Sequence, residues 1–131
     1  MKELYARYGK DVQFYIVYIR EAHALDSRAP MTFGSVEDPI DLKERTLVAS
    51  KCVKDLDLPM EALVDRLDDA VNLAYGGWPD RLYLVGRDGK IAYAGGKGPF
   101  EFRPEELEQA IEREMAVAKA PVDHPANEKK H

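Results

Sequence analysis

Residues 75–100 read YGGWPDRLYLVGRDGKIAYAGGKGPF, and this stretch decides the fold. Arg81–Val85 carries leucine, tyrosine and valine in succession and reads as a strand. Asp88-Gly89 is a tight-turn signal, and Lys90–Tyr93 returns as a second strand, so the pair forms a hairpin. Gly95, Gly96 and Gly98 lack the spacing of a phosphate-binding loop, and Pro99 interrupts any helix that would follow them. They are read as letting the chain turn tightly beyond the hairpin. Trp78-Pro79 lies just ahead of the first strand, where a proline is either a trans edge residue or a cis turn. Base rates alone favour trans.

Downstream, Pro104 opens a helix with Glu105 and Glu106 in its first turn and Leu107, Ile111, Met115 and Ala118 along one side. From Lys119 onward the apolar period ends, and residues 119–131 are expected to be a disordered tail behind a single domain of residues 1–118. Upstream, Asp68–Tyr75 reads as a helix stopped by Gly76 and Gly77, and Glu61–Asp65 as a short strand. Asp41 and Glu44 have capping-box spacing, with Leu42, Val48, Ala49, Cys52, Val53 and Leu56 as the apolar face of the helix that follows. Residues 24–40, with Pro30, Gly34 and Pro39, form a long loop of the length that usually carries function. VQFYIVYI at Val12–Ile19 is apolar almost throughout, which suits a central parallel strand covered on both faces, and Lys2–Tyr8 before it is helical with Gly9 as its stop. The whole is an α/β layout of helices packed on a sheet.

The chain of 131 residues carries 45% hydrophobic residues, enough for one core, and a net charge of −5. That sign repels phosphate backbones and anionic membrane surfaces, so nucleic acid and membrane are not expected partners. Met1–Lys10 shows no signal peptide or membrane span, which makes the cytoplasm the expected location. Cys52 is the single cysteine, so neither an internal disulfide nor a paired-cysteine metal site can form, and no bound metal or cofactor is expected. On its apolar helix face Cys52 reads as a small buried hydrophobe without a cationic neighbour. Of the histidines, His124 and His131 lie in the polar tail, which leaves His23.

Ligands in open α/β sheets collect beyond the carboxyl ends of the parallel strands, where Arg20, Glu21, Ala22 and His23 stand. A carboxylate two residues before a histidine can fix its tautomer and raise its basicity, fitting it to exchange a proton near neutral pH. Most such pairs are structural or solvent-facing. Tyr15, Tyr18, Tyr83 and Tyr93 are read as packing residues.

FYIVYIREAHALD at 14–26, the 75–100 stretch and the PEELEQAI after it resemble the iodothyronine deiodinases, in the same order and at suitable distances. The resemblance implies a thioredoxin-like fold, a mixed sheet flanked by helices, with Pro79 as a cis-proline facing the active site. It also implies catalytic roles for Glu21, His23 and Arg81. Histidine would anchor a substrate hydroxyl or pass a proton, glutamate would orient it, and arginine would hold an anionic or carbonyl group. Trp78, Pro79 and Asp26 are the implied substrate-binding residues. The sequence departs from the family after the E-A-H triplet, where Ala24-Leu25-Asp26-Ser27-Arg28 replaces the usual P-S-D-G-W.

The implied activity is that of a selenol or thiol oxidoreductase acting on a small-molecule substrate, with a thiol reductant as co-substrate. The alternative is a noncatalytic thioredoxin-fold module that binds an aromatic or anionic ligand, or a partner protein, in the same crevice. The family places a strand and a selenocysteine or cysteine turn ahead of the helix that Met1 enters. The expectation is therefore a longer selenoprotein whose nucleophile-bearing first strand lies outside this chain. Without that strand two neighbouring strands expose unpaired edges, so that pairing with a second copy, a homodimer, is compatible with the reading.

Overall fold

The computed structural model describes residues 1–20 and 39–119. In chain order its elements are α1 (Lys2–Tyr8), β1 (Tyr15–Tyr18), α2 (Leu42–Asp55), β2 (Glu61–Val64), α3 (Ala70–Tyr75), β3 (Tyr83–Val85), β4 (Ile91–Ala94) and α4 (Pro104–Lys119). The fold is α/β.

Local chemistry explains where the helices start and stop. The Glu44 N–H donates to Asp41 Oδ1 at 2.8 Å, and Glu44 Oε2 accepts from the Ile40 N–H at 3.0 Å, so the capping box at the start of α2 is formed. Arg103 stands just before α4, its carbonyl accepting from Glu106 and Leu107, and Pro104 opens the helix at the position where its missing N–H costs nothing. α3 ends on Gly76 in the left-handed region, φ +58°, which favours glycine.

β1 and β2 pair in parallel, Tyr15 opposite Glu61 through Tyr18 opposite Val64. β3 and β4 pair antiparallel, with an irregularity between Leu84 and Val85. The pairing continues past the strand ends, since the Gly95 N–H donates to the Leu82 carbonyl and the Gly98 N–H to the Asp80 carbonyl, both at 2.9 Å. Gly98 allows this, because a Cβ there would run into the Asp80 carboxylate. The glycines thus permit close approach of the two chains as well as the turn.

The core gathers Leu4, Phe14, Met60, Leu84, Leu107, Ala110 and Ile111. Tyr5 meets Phe14 edge-on, with ring centroids 5.7 Å apart. Ile111, 1% exposed, anchors α4 beneath the hairpin, and full burial of such a side chain stabilises by about 1.5–3 kcal/mol.

The described strands form two two-stranded sheets, β1-β2 and β3-β4. Several expectations need correction. β1 is not covered on both faces: Tyr15 and Val17 are exposed while Ile16 and Tyr18 are half-buried. Among the described helices α2 packs on β2 and α4 on β3 and β4, so β1 has one sheltered face. Leu42 and Leu56 of α2 are exposed and Cys52 is half-buried, because the α2 stripe that faces inward centres on Arg45 and Ala49. Ala118 is exposed at the far end of α4, beyond the reach of the hairpin, and the helix includes Lys119. The tail expected to be disordered otherwise lies outside the described residues.

Between the two sheets runs a slot with a cavity volume of about 510 Å³. One wall is Asp11–Tyr15, the other Arg81–Arg87, and Leu107, Ile111 and Met115 of α4 line it as well.

Candidate active site

The site is built where β1, β2 and α3 end. The Asp65 N–H donates to the Tyr18 carbonyl at 2.8 Å, which carries the parallel pairing to the carboxyl ends of both strands. Asp65 is 1% exposed. Its Oδ1 accepts from the N–H groups of Arg66 and Val71, and its Oδ2 from that of Asn72, at 2.8, 3.0 and 2.9 Å. Burial pushes this carboxyl up, but the three backbone donors and the nearby Arg45 charge outweigh it and hold the group below the usual carboxylate range. Arg45, 3% exposed, donates from Nη1 to the carbonyls of Asp65 and Arg66 and to Asp69 Oδ1. Two buried charged residues thus fix the start of α3 to the end of β2.

From the other end of α3 the chain turns through Gly76, Gly77, Trp78 and Pro79. Gly77 lies beside Ile19: a Cβ there would make ordinary contact with Ile19 Cδ1, at 3.6 Å. The turn before β3 therefore stands beside the carboxyl end of β1, two residues before Glu21. The Trp78-Pro79 peptide is cis, as the family resemblance implied and against the base rate. Trp78 is 44% exposed and Pro79 half-buried.

Arg81 follows two residues after Pro79, and its Nε and Nη1 are engaged. Nε donates to the Gly95 carbonyl at 2.6 Å, and Nη1 lies 3.4 Å from the carbonyls of Tyr75 and Gly76. Its guanidinium sits 5.1 Å from the centre of the Tyr83 ring. Tyr83 in turn donates its hydroxyl to the Tyr75 carbonyl and meets the Tyr75 ring edge-on at 5.0 Å. Arg81 and Tyr83 together cap the carbonyls that α3 leaves unpaired at its carboxyl end.

Of the residues singled out from sequence, the structure brings Trp78, Pro79 and Arg81 to one turn beside the end of β1. Glu21, His23 and Asp26 lie outside the described residues. Sequence reading passed over Asp65, Arg45 and Asn72, and took Tyr83 for a packing residue only. An acidic residue closing a short strand was the one available signal for Asp65, while Arg45 falls outside the apolar residues marked along its helix. No group of three or more histidine, cysteine, aspartate or glutamate residues suited to a metal occurs among the described residues. None of the described helices is long and apolar enough to cross a membrane.

The human type II iodothyronine deiodinase is 31% identical over 121 residues, covering 88% of this chain and 44% of the human protein. The type II enzyme of Petromyzon marinus is 38% identical over 105 residues, 76% of this chain and 35% of its own length. The thyroxine 5-deiodinase of Sparus aurata is 33% identical over 112 residues, 82% of this chain and 40% of its own. The chain spans less than half the length of these curated relatives. A family model described as iodothyronine deiodinase matches residues 1–115, including β1, the Trp78–Pro79 turn and most of α4, and the chain belongs to that family.

Proposed function

We propose that this chain supplies the substrate-facing part of a deiodinase-like selenol or thiol oxidoreductase of thioredoxin-like fold. The observation that carries the reading is the meeting of the Trp78–Pro79 turn with the carboxyl end of β1, through Gly77 and Ile19, in a chain of deiodinase sequence. On this reading the nucleophile is a selenocysteine or cysteine outside the chain, carried on a strand that completes one mixed sheet by lying in the slot between β1 and β3.

The chemistry is a reductive dehalogenation. The selenolate or thiolate attacks the iodine of an iodinated aromatic substrate, the carbon–iodine bond breaks, and the carbon takes up a proton as iodine passes to selenium or sulfur. Two thiol equivalents then release iodide and restore the nucleophile, leaving as a disulfide. His23 delivers the proton or holds the substrate hydroxyl, and Glu21 orients His23. Trp78, Pro79 and Asp26 line the substrate. Arg81 faces an anionic or carbonyl group of the substrate with whatever part of its fork is not engaged by Gly95, Tyr75 and Gly76.

The test is thiol-dependent iodide release from an iodinated phenol. It is run on this chain and on a version extended on its amino side by an apolar strand and a selenocysteine or cysteine turn. Activity in the extended version, lost on His23→Ala, supports the proposal. Binding without turnover in both would point to the noncatalytic module instead.

A further inference from the structure

We infer that Asn72 is a positioning residue of this site: its side-chain carbonyl holds the Trp78–Pro79 turn in the place where substrate is to lie. The structural half of the inference stands on hydrogen bonds, and its importance for binding rests on the functional reading above.

Asn72 makes four hydrogen bonds, one to Asp65 and one to each of the three successive residues Gly76, Gly77 and Trp78. Its N–H donates to the buried Asp65 carboxylate at 2.9 Å. Its backbone carbonyl accepts from Gly76, which caps α3, and from Gly77 at 3.0 Å. Its Oδ1 accepts from the Trp78 N–H at 2.9 Å. One half-buried residue thereby connects the fixed end of β2 to the turn that precedes Pro79.

Two physical arguments make that last bond decisive. α3 has six residues, too few to persist by itself, so its orientation depends on the groups that pin it. Trp78 is 44% exposed, so packing holds it only in part, and the bond from its N–H to Asn72 extends the backbone bonds of Gly76 and Gly77 to the residue next to Pro79. Asparagine is also a poor choice for a helix interior, because its side chain competes for backbone partners. Here that tendency is put to use, as the side chain reaches past the helix end and satisfies the turn's N–H.

Trp78 is the only tryptophan, so its emission reports this turn alone. In the 131-residue chain, Asn72→Ala is expected to keep its far-UV spectrum and cooperative unfolding. The Trp78 amide should exchange about tenfold faster or more, and acrylamide should quench the emission more strongly. Asn72→Asp keeps an acceptor at the same reach and should restore both readouts nearly to the parent values. Titration with a diiodinated phenol, followed by Trp78 quenching, should show binding by the parent, at least fivefold weaker binding by Asn72→Ala and recovery by Asn72→Asp.

Unchanged exchange and quenching in Asn72→Ala overturn the inference, as does unchanged phenol binding once exchange has risen. If Asn72→Ala fails to fold, the parent decides: a Trp78 amide as unprotected as an open loop overturns the inference, and a protected one lost in Asn72→Ser sustains it. A parent that binds no phenol refutes the functional reading, while the exchange data still decide whether Asn72 fixes the turn.

Discussion

The Arg81 guanidinium donates from Nε to the Gly95 carbonyl at 2.6 Å, and this bond ties the chain entering β3 to the chain leaving β4. Nη1 reaches the last carbonyls of α3 from the same planar group. A single side chain therefore aligns the hairpin with the helix that leads into the Trp78–Pro79 turn.

Lysine carries the same charge as arginine but cannot present a planar fork. Arg81→Lys should therefore retain at most one of these bonds and lower the unfolding free energy by about 1.5–3 kcal/mol, the range for hydrogen bonds to a charged group. Urea titration checks this. A midpoint equal to that of the parent would mean that the guanidinium does not hold the two segments together.

Asp65 contributes stability with a definite pH signature. Its folded-state pKa is depressed, so the contribution is present above the ordinary carboxylate value, about 3.9, and is lost as pH falls through the lower folded value. Asp65→Ala removes the acceptor for three backbone donors and leaves Arg45 buried beside Asp69 alone. A loss of at least about 1–3 kcal/mol, the cost of leaving a buried donor without its acceptor, is expected near neutral pH. Parent and variant stabilities, measured by urea unfolding, should converge as the pH is lowered below 4. A gap that stays constant into strong acid would assign the loss to packing rather than to the carboxylate.

The tie between α1 and α4 has the opposite sign. Tyr8 donates its hydroxyl to Glu108 and Glu112, each at 3.0 Å, and Arg7 pairs with Glu108. Burial, together with these two carboxylates, pushes the Tyr8 phenol up to about 12. A raised pKa contributes stability that is complete below the unfolded value near 10 and disappears as pH rises through about 12. Tyr8→Phe should flatten the alkaline limb of the stability profile over that window and leave the acid limb unchanged. An unaltered alkaline limb, followed by thermal unfolding between pH 9 and 12, would exclude this tie.

Legibility from sequence followed the range of the interaction. The capping box of Asp41 and Glu44, the stop at Gly76 and the Asp88-Gly89 turn are settled within a few residues, and the structure forms each of them. Arg45 was illegible because its partners lie twenty or more residues along the chain and its neighbours Glu44 and Thr46 suggest solvent. Asn72 was hidden by the same logic, since nothing in a six-residue helix reveals that a side chain reaches forward to Trp78. Around the site, Trp78, Pro79 and Arg81 were picked out through family resemblance. The engagement of Arg81 with three backbone carbonyls could be seen only once the hairpin and α3 were placed together.

The slot between the two sheets leads to the last prediction. The Tyr18 carbonyl faces β2, where it accepts from Asp65. Because peptide groups alternate between the two edges of a strand, Ile16 also turns toward β2, while Tyr15 and Val17 turn the opposite way. In β3 the carbonyl of Leu82 faces the β4 side, where it accepts from Gly95, so the Tyr83 peptide turns away from β4. The walls of the slot include Tyr15 and Tyr83, and α4 supplies apolar side chains to it. In the 131-residue chain the amides of Tyr15, Val17 and Tyr83 should therefore exchange with solvent at least tenfold faster than those of Ile16, Tyr18 and Leu84. In a polypeptide extended on the amino side by an apolar strand, the three fast amides should become protected together while the other three change little. Protection of Tyr15, Val17 and Tyr83 already in the shorter chain would show that their edges are paired by some other segment, and that a fifth strand has no place between β1 and β3.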